Sequence, residues 1–407
     1  MAEAKKHIVI RGKGIISPLG HDVASVNAAY ALGKPAFTTI LHNNELTPVA
    51  ALPAIAEEAL QGLAKSNPNY RHLDRSVLMA VYAARQAASQ AGWLNEESQT
   101  SVDYTSEDLA VNIGSSRGAT GLFEQHYSSF QQSINGTTAS SASPTTTLGN
   151  LSSWVAHAVN AGGAQISHSI TCSTALMAVA NGVAWLKASM AKRFLAGGTE
   201  APLTPFTIAQ MKAIGIYSKL AGAPYPCRPY NNQENTFVLG EGAAVFALEL
   251  TDTAKLNKGD MVIEAVGFGF EKIISKTGIS AEGQNFQKSM RHALSQLPAD
   301  DQEIDLIISH TPGTKAGDKA ELEAINTVFA GKKQPITTNK WILGHTLGAS
   351  GALSLDYSLY LLDSCENLHI PKYFSKNFTQ KNTINRILIN AAGFGGNASS
   401  IIVKVIT

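Results

Sequence analysis

Charge is scarce in this chain of 407 residues: Asp, Glu, Lys and Arg make up 15%, against about a quarter in an average globular protein. With 44% hydrophobic residues, the shortage points to extensive burial, a subunit interface included. Neither sign dominates. The 32 Lys and Arg stand against 31 Asp and Glu for a formal net charge of +1, which removes the electrostatic ground for a nucleic-acid partner. Cysteine is sparse as well. Cys172, Cys227 and Cys365 form an odd set with no CxxC spacing, so neither a disulfide framework nor a closely spaced zinc-ligand pair is written in, and a reducing cytoplasm is the expected compartment. Membrane insertion is not expected either. The apolar stretch after Lys5 and Lys6 is too brief for a signal peptide, and Ser, Thr, Asn and Gly interrupt the charge-free tract from Gln125 to Leu186 throughout.

The widest gap in charge is local. From Gln125 to Leu186 there is no Asp, Glu, Lys or Arg, and we expect this tract to be buried within the subunit or against a partner. It contains Ile166-Ser167-His168-Ser169-Ile170-Thr171-Cys172-Ser173-Thr174-Ala175, which reads as strand, turn and helix. The first five residues alternate, whereas Ala175, Ala178, Val179, Gly182, Val183 and Leu186 recur at helical spacing. Cys172 thus falls where the helix begins. Unpaired N–H groups and the helix dipole there favour an anion, so the thiol is expected to be drawn toward thiolate, as suits a nucleophile.

The length exceeds one ordinary domain. A strand and glycine turn open the chain at His7 to Gly20, a surface region runs from Ala31 to about Asn69, and a helix is predicted over Arg75 to Ala91. Leu109 to Ile113 reads as a buried strand ending in Gly114-Ser115-Ser116-Arg117-Gly118. That loop lacks the Lys-Ser/Thr ending and the glycine spacing of a phosphate cradle. Arg193 to Glu200 and Gly242 to Glu249 make further strands. After a polar stretch near Thr251 to Asp260 a second cycle begins, with strands at Met261 to Phe270, Ile304 to Ser309 and Arg386 to Ala392, a small-residue helix at Gly348 to Leu362, and a glycine turn at Gly393 to Gly396. Each cycle has a buried small-residue helix, a glycine turn and a closing apolar strand. The sequence therefore reads as a duplication, residues 1–256 and 257–407, of an α/β layered fold with sheets covered on both faces.

Two histidines complete the pattern. His310 ends a buried strand and leads into Thr311-Pro312-Gly313-Thr314, and His345 precedes the small-residue helix. Taken singly, a free cysteine is most often a small buried apolar residue and a histidine at an element end a hydrogen-bonded cap. A thiol and two histidines at element ends on one side of a layered sheet are a different matter, because such folds assemble active sites there. Zinc ligation and a Cys-His-Asn hydrolase compete with this reading. Paired ligands are absent, and two histidines beside glycine turns suit charge stabilisation on two oxygens.

Taken in order, Thr171-Cys172-Ser173, Gly197-Gly198-Thr199-Glu200, Arg228-Pro229-Tyr230-Asn231, Phe237 to Gly242, His310 to Glu321, Lys340 with His345, and Gly393-Phe394-Gly395-Gly396 resemble the elongating β-ketoacyl-[acyl carrier protein] synthases of Cys-His-His type, within the thiolase-like superfamily. The resemblance runs from first strand to last. It implies a thiolase-like duplicated fold in five layers, α-β-α-β-α, and a decarboxylative Claisen condensation of an acyl thioester with malonyl-acyl carrier protein in fatty acid, polyene or polyketide biosynthesis. By the same resemblance Cys172 takes the acyl chain, His310 and His345 act as neutral N–H donors, and the backbone N–H groups of Cys172 and Phe394 hold an oxyanion. Phe394 also gates, Lys340 pairs with Glu321, Asp318 braces the loop after His310, Thr314 meets pantetheine, and Arg71, His72 and Arg75 meet the acidic carrier. No metal or soluble cofactor is implied beyond the carrier's 4'-phosphopantetheine, and a homodimer or a heterodimer with a related subunit is expected.

The chain departs from the family pattern at Pro312, which removes one pantetheine hydroxyl contact, at Asn397-Ala398, and at Trp341-Ile342. These changes suit a specialised pathway. Two further readings stand beside the main one: a non-catalytic chain-length partner, which generally lacks the thiol, and a coenzyme A thiolase, which needs a second cysteine near the carboxyl-terminal glycines where Cys365 does not lie.

Overall fold

A computed structural model describes residues 6–94, 105–273, 279–330, 332, 334–364, 368–369, 371–374 and 383–407. Cys365 lies outside them. The strands are β1 (Lys6–Ile16), a surface hairpin β2 (Thr38–His42) and β3 (Glu45–Val49), β4 (Leu109–Gly114), β5 (Gln165–Ile166), β6 (Arg193–Glu200), β7 (Gly242–Asp252), β8 (Met261–Phe270), β9 (Leu306–Ile308), β10 (Ile336–Thr337), β11 (Arg386–Gly393) and β12 (Asn397–Val405).

Ten of these form one sheet in the order β10-β9-β11-β12-β8-β1-β7-β6-β4-β5. The order is a palindrome of roles. Reading outward from the centre, β1, β7, β6, β4 and β5 repeat as β8, β12, β11, β9 and β10, and in both halves two antiparallel pairings are followed by two parallel ones. Only Ile8↔Ile263 and Val9↔Val262 join the halves across β1 and β8.

Alternation along the strands builds the layers, since successive side chains point to opposite faces. In β7, Ala244, Phe246 and Leu248 belong to one core and Ala243, Val245 and Ala247 to another. In β11, Ile387, Ile389 and Ala391 join the core of that first set, while Leu388 and Ala392 face a third. The shared core is filled by the Thr174–Lys187 and Ser350–Asp363 helices, with Leu176, Val179, Val183, Leu353, Leu355 and Leu361 buried in it. The second core lies under the Arg75–Gln90 and Asn150–Ala158 helices, and the third under Gln284–Leu294 and Lys315–Val328. Both sheet halves thus close on one helical layer and carry another outside, giving the five-layer α-β-α-β-α arrangement that the resemblance implies.

The close approach of β1 and β8 to their outer helices repeats too. A Cβ on Gly14 would lie 1.9 Å from the Ala83 carbonyl oxygen, and one on Gly269 would lie 1.9 Å from that of Asn285. Any side chain there would force helix and strand apart.

The strand expected over Ile166 to Ile170 is shorter than its alternation suggests. Pairing stops after Ile166, because the following residues turn into a hydroxyl-braced loop. The Ala31 to Asn69 region holds the β2–β3 hairpin and the Ala54–Ser66 helix. The charge-free tract divides. Its Thr174–Lys187 helix is core, but Tyr127, Phe130 and Ile134 stand exposed in the isolated chain. Among the described residues no helix is long and apolar enough to cross a membrane.

Candidate active site

Two hydroxyls build the turn that carries Cys172, through three hydrogen bonds. The Thr174 Oγ1 accepts from the Ile170 N–H at 2.8 Å and donates to the Thr171 carbonyl at 2.6 Å, and the Ser173 Oγ donates to the Ile170 carbonyl at 2.9 Å. They hold Thr171 at φ +49, a left-handed conformation that a β-branched residue adopts only when its surroundings impose it. The last turn of the chain locks onto this one. Thr171 Oγ1 donates to the Phe394 carbonyl at 3.2 Å, and a Cβ on Gly393 would lie 2.7 Å from the Cys172 nitrogen. Glycine is required where the two loops meet. Neither the Cys172 nor the Phe394 backbone N–H is hydrogen-bonded to another described residue.

The histidines arrive from the other half. His310 follows β9, and Glu321 holds its loop by accepting the His310 and Thr311 N–H groups at 2.9 and 2.8 Å. Asp318 accepts from Gly313, Thr314 and Tyr230 N–H groups at 3.1, 3.1 and 2.8 Å. Asn390 steadies Glu321 at 3.1 Å. His345 Nδ1 accepts the Leu347 N–H at 2.9 Å. A ring nitrogen that accepts carries no proton, so neutral His345 has its hydrogen on Nε2. The two rings meet edge to face with centroids 5.1 Å apart. One ligating atom from each of Cys172, His310 and His345 lies within 4.8 Å of the others.

These residues open into a cavity of ≈ 290 Å³, lined otherwise mostly by apolar groups such as Met211, Ile216, Phe237, Leu347 and Phe394, with Thr314 and Asn235 among its polar atoms. Phe394 is 40% exposed at its edge. Burial decides the electrostatics. Desolvation, with the nearby Lys340 charge, pushes His310 down to about 3. Burial, then His310 and Lys340, holds His345 well below the ordinary imidazole value, so both rings are neutral at physiological pH.

Cys172 does not behave as its place in the sequence suggests. Burial of the sulfur, with the Glu200 carboxylate behind it, pushes the thiol up to about 12, although Lys340 and Arg117 pull the other way. The helix starts at Thr174, which leaves the sulfur outside the first turn where the dipole acts most strongly. The resting nucleophile is a thiol. A thiol and two imidazoles at this spacing also form a three-ligand set, but metal ligation needs a thiolate, and the buried Lys340 cation opposes a second cation.

Two other expectations are corrected. Lys340 does not pair with Glu321: its Nζ donates to Asn339 Oδ1 at 3.2 Å and Ser354 Oγ at 3.0 Å, while Glu321 is occupied by backbone donors. Arg75 is committed within the fold, bound to Glu57 and Glu241, whereas Arg71 and His72 are exposed at the end of the short turn Pro68–His72. Sequence reasoning placed Glu200 in a motif but gave it no role. Its buried carboxylate accepts from Ser115 Oγ and from the Ser116, Arg117 and Gly348 N–H groups, at 2.9, 2.8, 3.1 and 2.9 Å. An acid closing an apolar strand was the available signal.

Comparison with known proteins agrees in extent. The family model for the N-terminal domain of β-ketoacyl synthase matches residues 5–254, and that for the C-terminal domain matches residues 261–366. The 3-oxoacyl-[acyl-carrier-protein] synthase 2 of Coxiella burnetii is 27% identical over 415 residues, covering 98% of this chain and 99% of that protein. Among solved structures, a β-ketoacyl synthase from Burkholderia phymatum superposes with a TM-score of 0.82 at 23% identity, covering 99% of this chain and all of that one. The ishigamide ketosynthase/chain length factor gives 0.81 at 20% identity, with the same coverage.

Proposed function

The chain belongs to the β-ketoacyl synthase family, and we propose from that premise that it is an acyltransferase that extends an acyl thioester by decarboxylative Claisen condensation with malonyl-acyl carrier protein. The observation that carries the proposal is the convergence of the Cys172 sulfur with the His310 and His345 rings, within 4.8 Å.

In the first step the Cys172 sulfur attacks the acyl thioester carbonyl, the bond to the pantetheine sulfur breaks, and the thiol proton leaves with the carrier's thiol. In the second, malonyl-carrier protein occupies the vacated site. Its thioester oxygen accepts from His345 Nε2–H and from His310, the carboxylate carbon departs as carbon dioxide, and the bonding pair becomes an enolate. Neutral imidazoles suit this task because they donate without giving up the proton. In the third, the enolate carbon attacks the acyl-Cys172 carbonyl, whose oxyanion lies against the Cys172 and Phe394 N–H groups. Each such donor is worth about 3 kcal/mol of barrier. Collapse expels Cys172, which takes up one proton, so each condensation consumes a proton and releases carbon dioxide. Every step uses thiol, imidazole and backbone groups, with no metal or dissociable cofactor.

Incubation with a labelled acyl thioester followed by digestion tests the scheme. Label is expected on Cys172, and label elsewhere, or full-speed condensation by Cys172→Ser, overturns it. Retention of Cys172, His310 and His345 supports the enzyme over a non-catalytic chain-length subunit. Exposed Tyr127, Phe130 and Ile134, with β5 at the sheet edge, support pairing with a second copy or a related subunit. For carrier docking, Arg71→Glu and His72→Glu raise KM for the carrier several-fold without changing kcat, most at low salt.

A further inference from the structure

Lys340 is among the largest fully buried side chains, 1% exposed, and among the described residues no carboxylate pairs with it. Its ammonium sits in a neutral cradle. Asn339 Oδ1 lies 3.2 Å away and Ser354 Oγ 3.0 Å away; Ser354 Oγ in turn donates to Asn339 Oδ1 at 3.3 Å, and Asn339 Nδ2 is fixed on the Leu353 carbonyl at 3.0 Å. The acids nearby are engaged elsewhere. Glu321 accepts from His310, Thr311 and Asn390, Asp318 accepts from Gly313, Thr314 and Tyr230, and Asp356 is bound to Lys13 at 2.7 Å. Burial pushes the ammonium down to about 8, and Glu321 opposes that by its charge without touching it. The other titratable groups that feel Lys340, namely Cys172, Cys227, His310 and His345, are neutral at rest.

A buried ammonium costs free energy unless its hydrogen-bonding needs are met, and a carboxylate meets them by cancelling its charge. Hydroxyl and amide oxygens meet them without cancelling it. We propose that Ser354 and Asn339 are positioning residues that hold Lys340 as a cation with no carboxylate in contact, so that its field acts on the anions of the pocket: the malonyl carboxylate, the enolate that replaces it, and the Cys172 sulfur when it leaves. The inference rests on the condensation proposed above. It assigns a role to two residues that touch no substrate and act only through Lys340.

Ser354→Asp tests it by adding the missing counter-charge. Two readouts are taken on the full-length enzyme at pH 7, where Lys340, pushed down to about 8 by burial, keeps its proton: the rate of Cys172 alkylation by iodoacetamide, and KM for malonyl-carrier protein in decarboxylation. An opposite charge at contact shifts a neighbouring titration by about one unit or more, so the alkylation rate is expected to fall about tenfold and the malonyl KM to rise about tenfold. Ser354→Thr, which keeps the hydroxyl, is expected to track the wild type. A Ser354→Asp protein that melts like the wild type with both readouts unmoved overturns the proposal. If that variant does not fold, Asn339→Asp places the charge on the other oxygen that Nζ touches, and the same outcomes apply. Wild-type enzyme that neither acylates nor decarboxylates tells against the condensation itself, not the cradle.

Discussion

Strands β6 and β11 hold the same place in the two halves, each eight residues long and each opened by an arginine, yet their last residues serve opposite needs. Glu200 closes β6 and gathers four donors, drawing the Ser115–Arg117 loop and Gly348 toward the nucleophile from behind. Gly393 closes β11 and contributes no side chain, because the Cys172 turn fills that space. Their fifth residues differ likewise. Gly197 lies against the Ala244 carbonyl, whereas Asn390 reaches across to Glu321. A duplicated scaffold keeps its strands and diverges at the ends, where one copy supplies an acceptor and the other supplies room.

The largest effect that would sharpen this contrast is expected from Gly393→Val. Its side chain would collide with Thr171 and the Cys172 backbone, and acyl transfer to Cys172 should fall by about 10²–10³, read as labelled acyl-enzyme formed per second. Unaltered transfer would break the idea that space is what β11 contributes. Next comes Glu200→Ala, which strands four buried donors and should lower unfolding free energy by roughly 3 kcal/mol in urea denaturation.

A pH series is subtler. Burial pushes Glu200 up to about 7 from 4.5 and Asp318 up to about 7 from 3.8. The folded protein therefore binds more protons than the unfolded chain between those values. Stability owed to these groups is greatest at acid pH, falls as pH rises toward about 7, and levels off above it. Urea midpoints at pH 5 and pH 8 check the sign, and Glu200→Gln should remove the share of the slope that Glu200 contributes. A slope that Glu200→Gln leaves intact would detach Glu200 from the effect. The smallest effect is expected from Asn390→Ala, with kcat reduced several-fold and KM unmoved, as the His310 loop loosens through Glu321.

The turn and helix around Cys172 and the strand end at His310 were legible because their signals are local: apolar runs, helical spacing and glycine turns within a dozen residues. The repeat of strand and helix gave the layers for the same reason. What escaped depends on partners distant in the chain. Arg75 reads as a free basic residue until Glu57 and Glu241 meet it, and Lys340 reads as the partner of Glu321 until Ser354 takes the place of a counter-ion. The state of the Cys172 thiol was misjudged because position relative to a helix is visible in sequence and enclosure of a sulfur is not.

Strands β1 and β8 join the two halves through two residue pairs, Ile8↔Ile263 and Val9↔Val262, with the sulfur on one side of that seam and the imidazoles on the other. During synthesis the sulfur leaves the ribosome well before either ring. Until the later half docks, the nascent polypeptide carries the Cys172 mercaptan without its imidazole partners, so catalytic competence waits on the last strands.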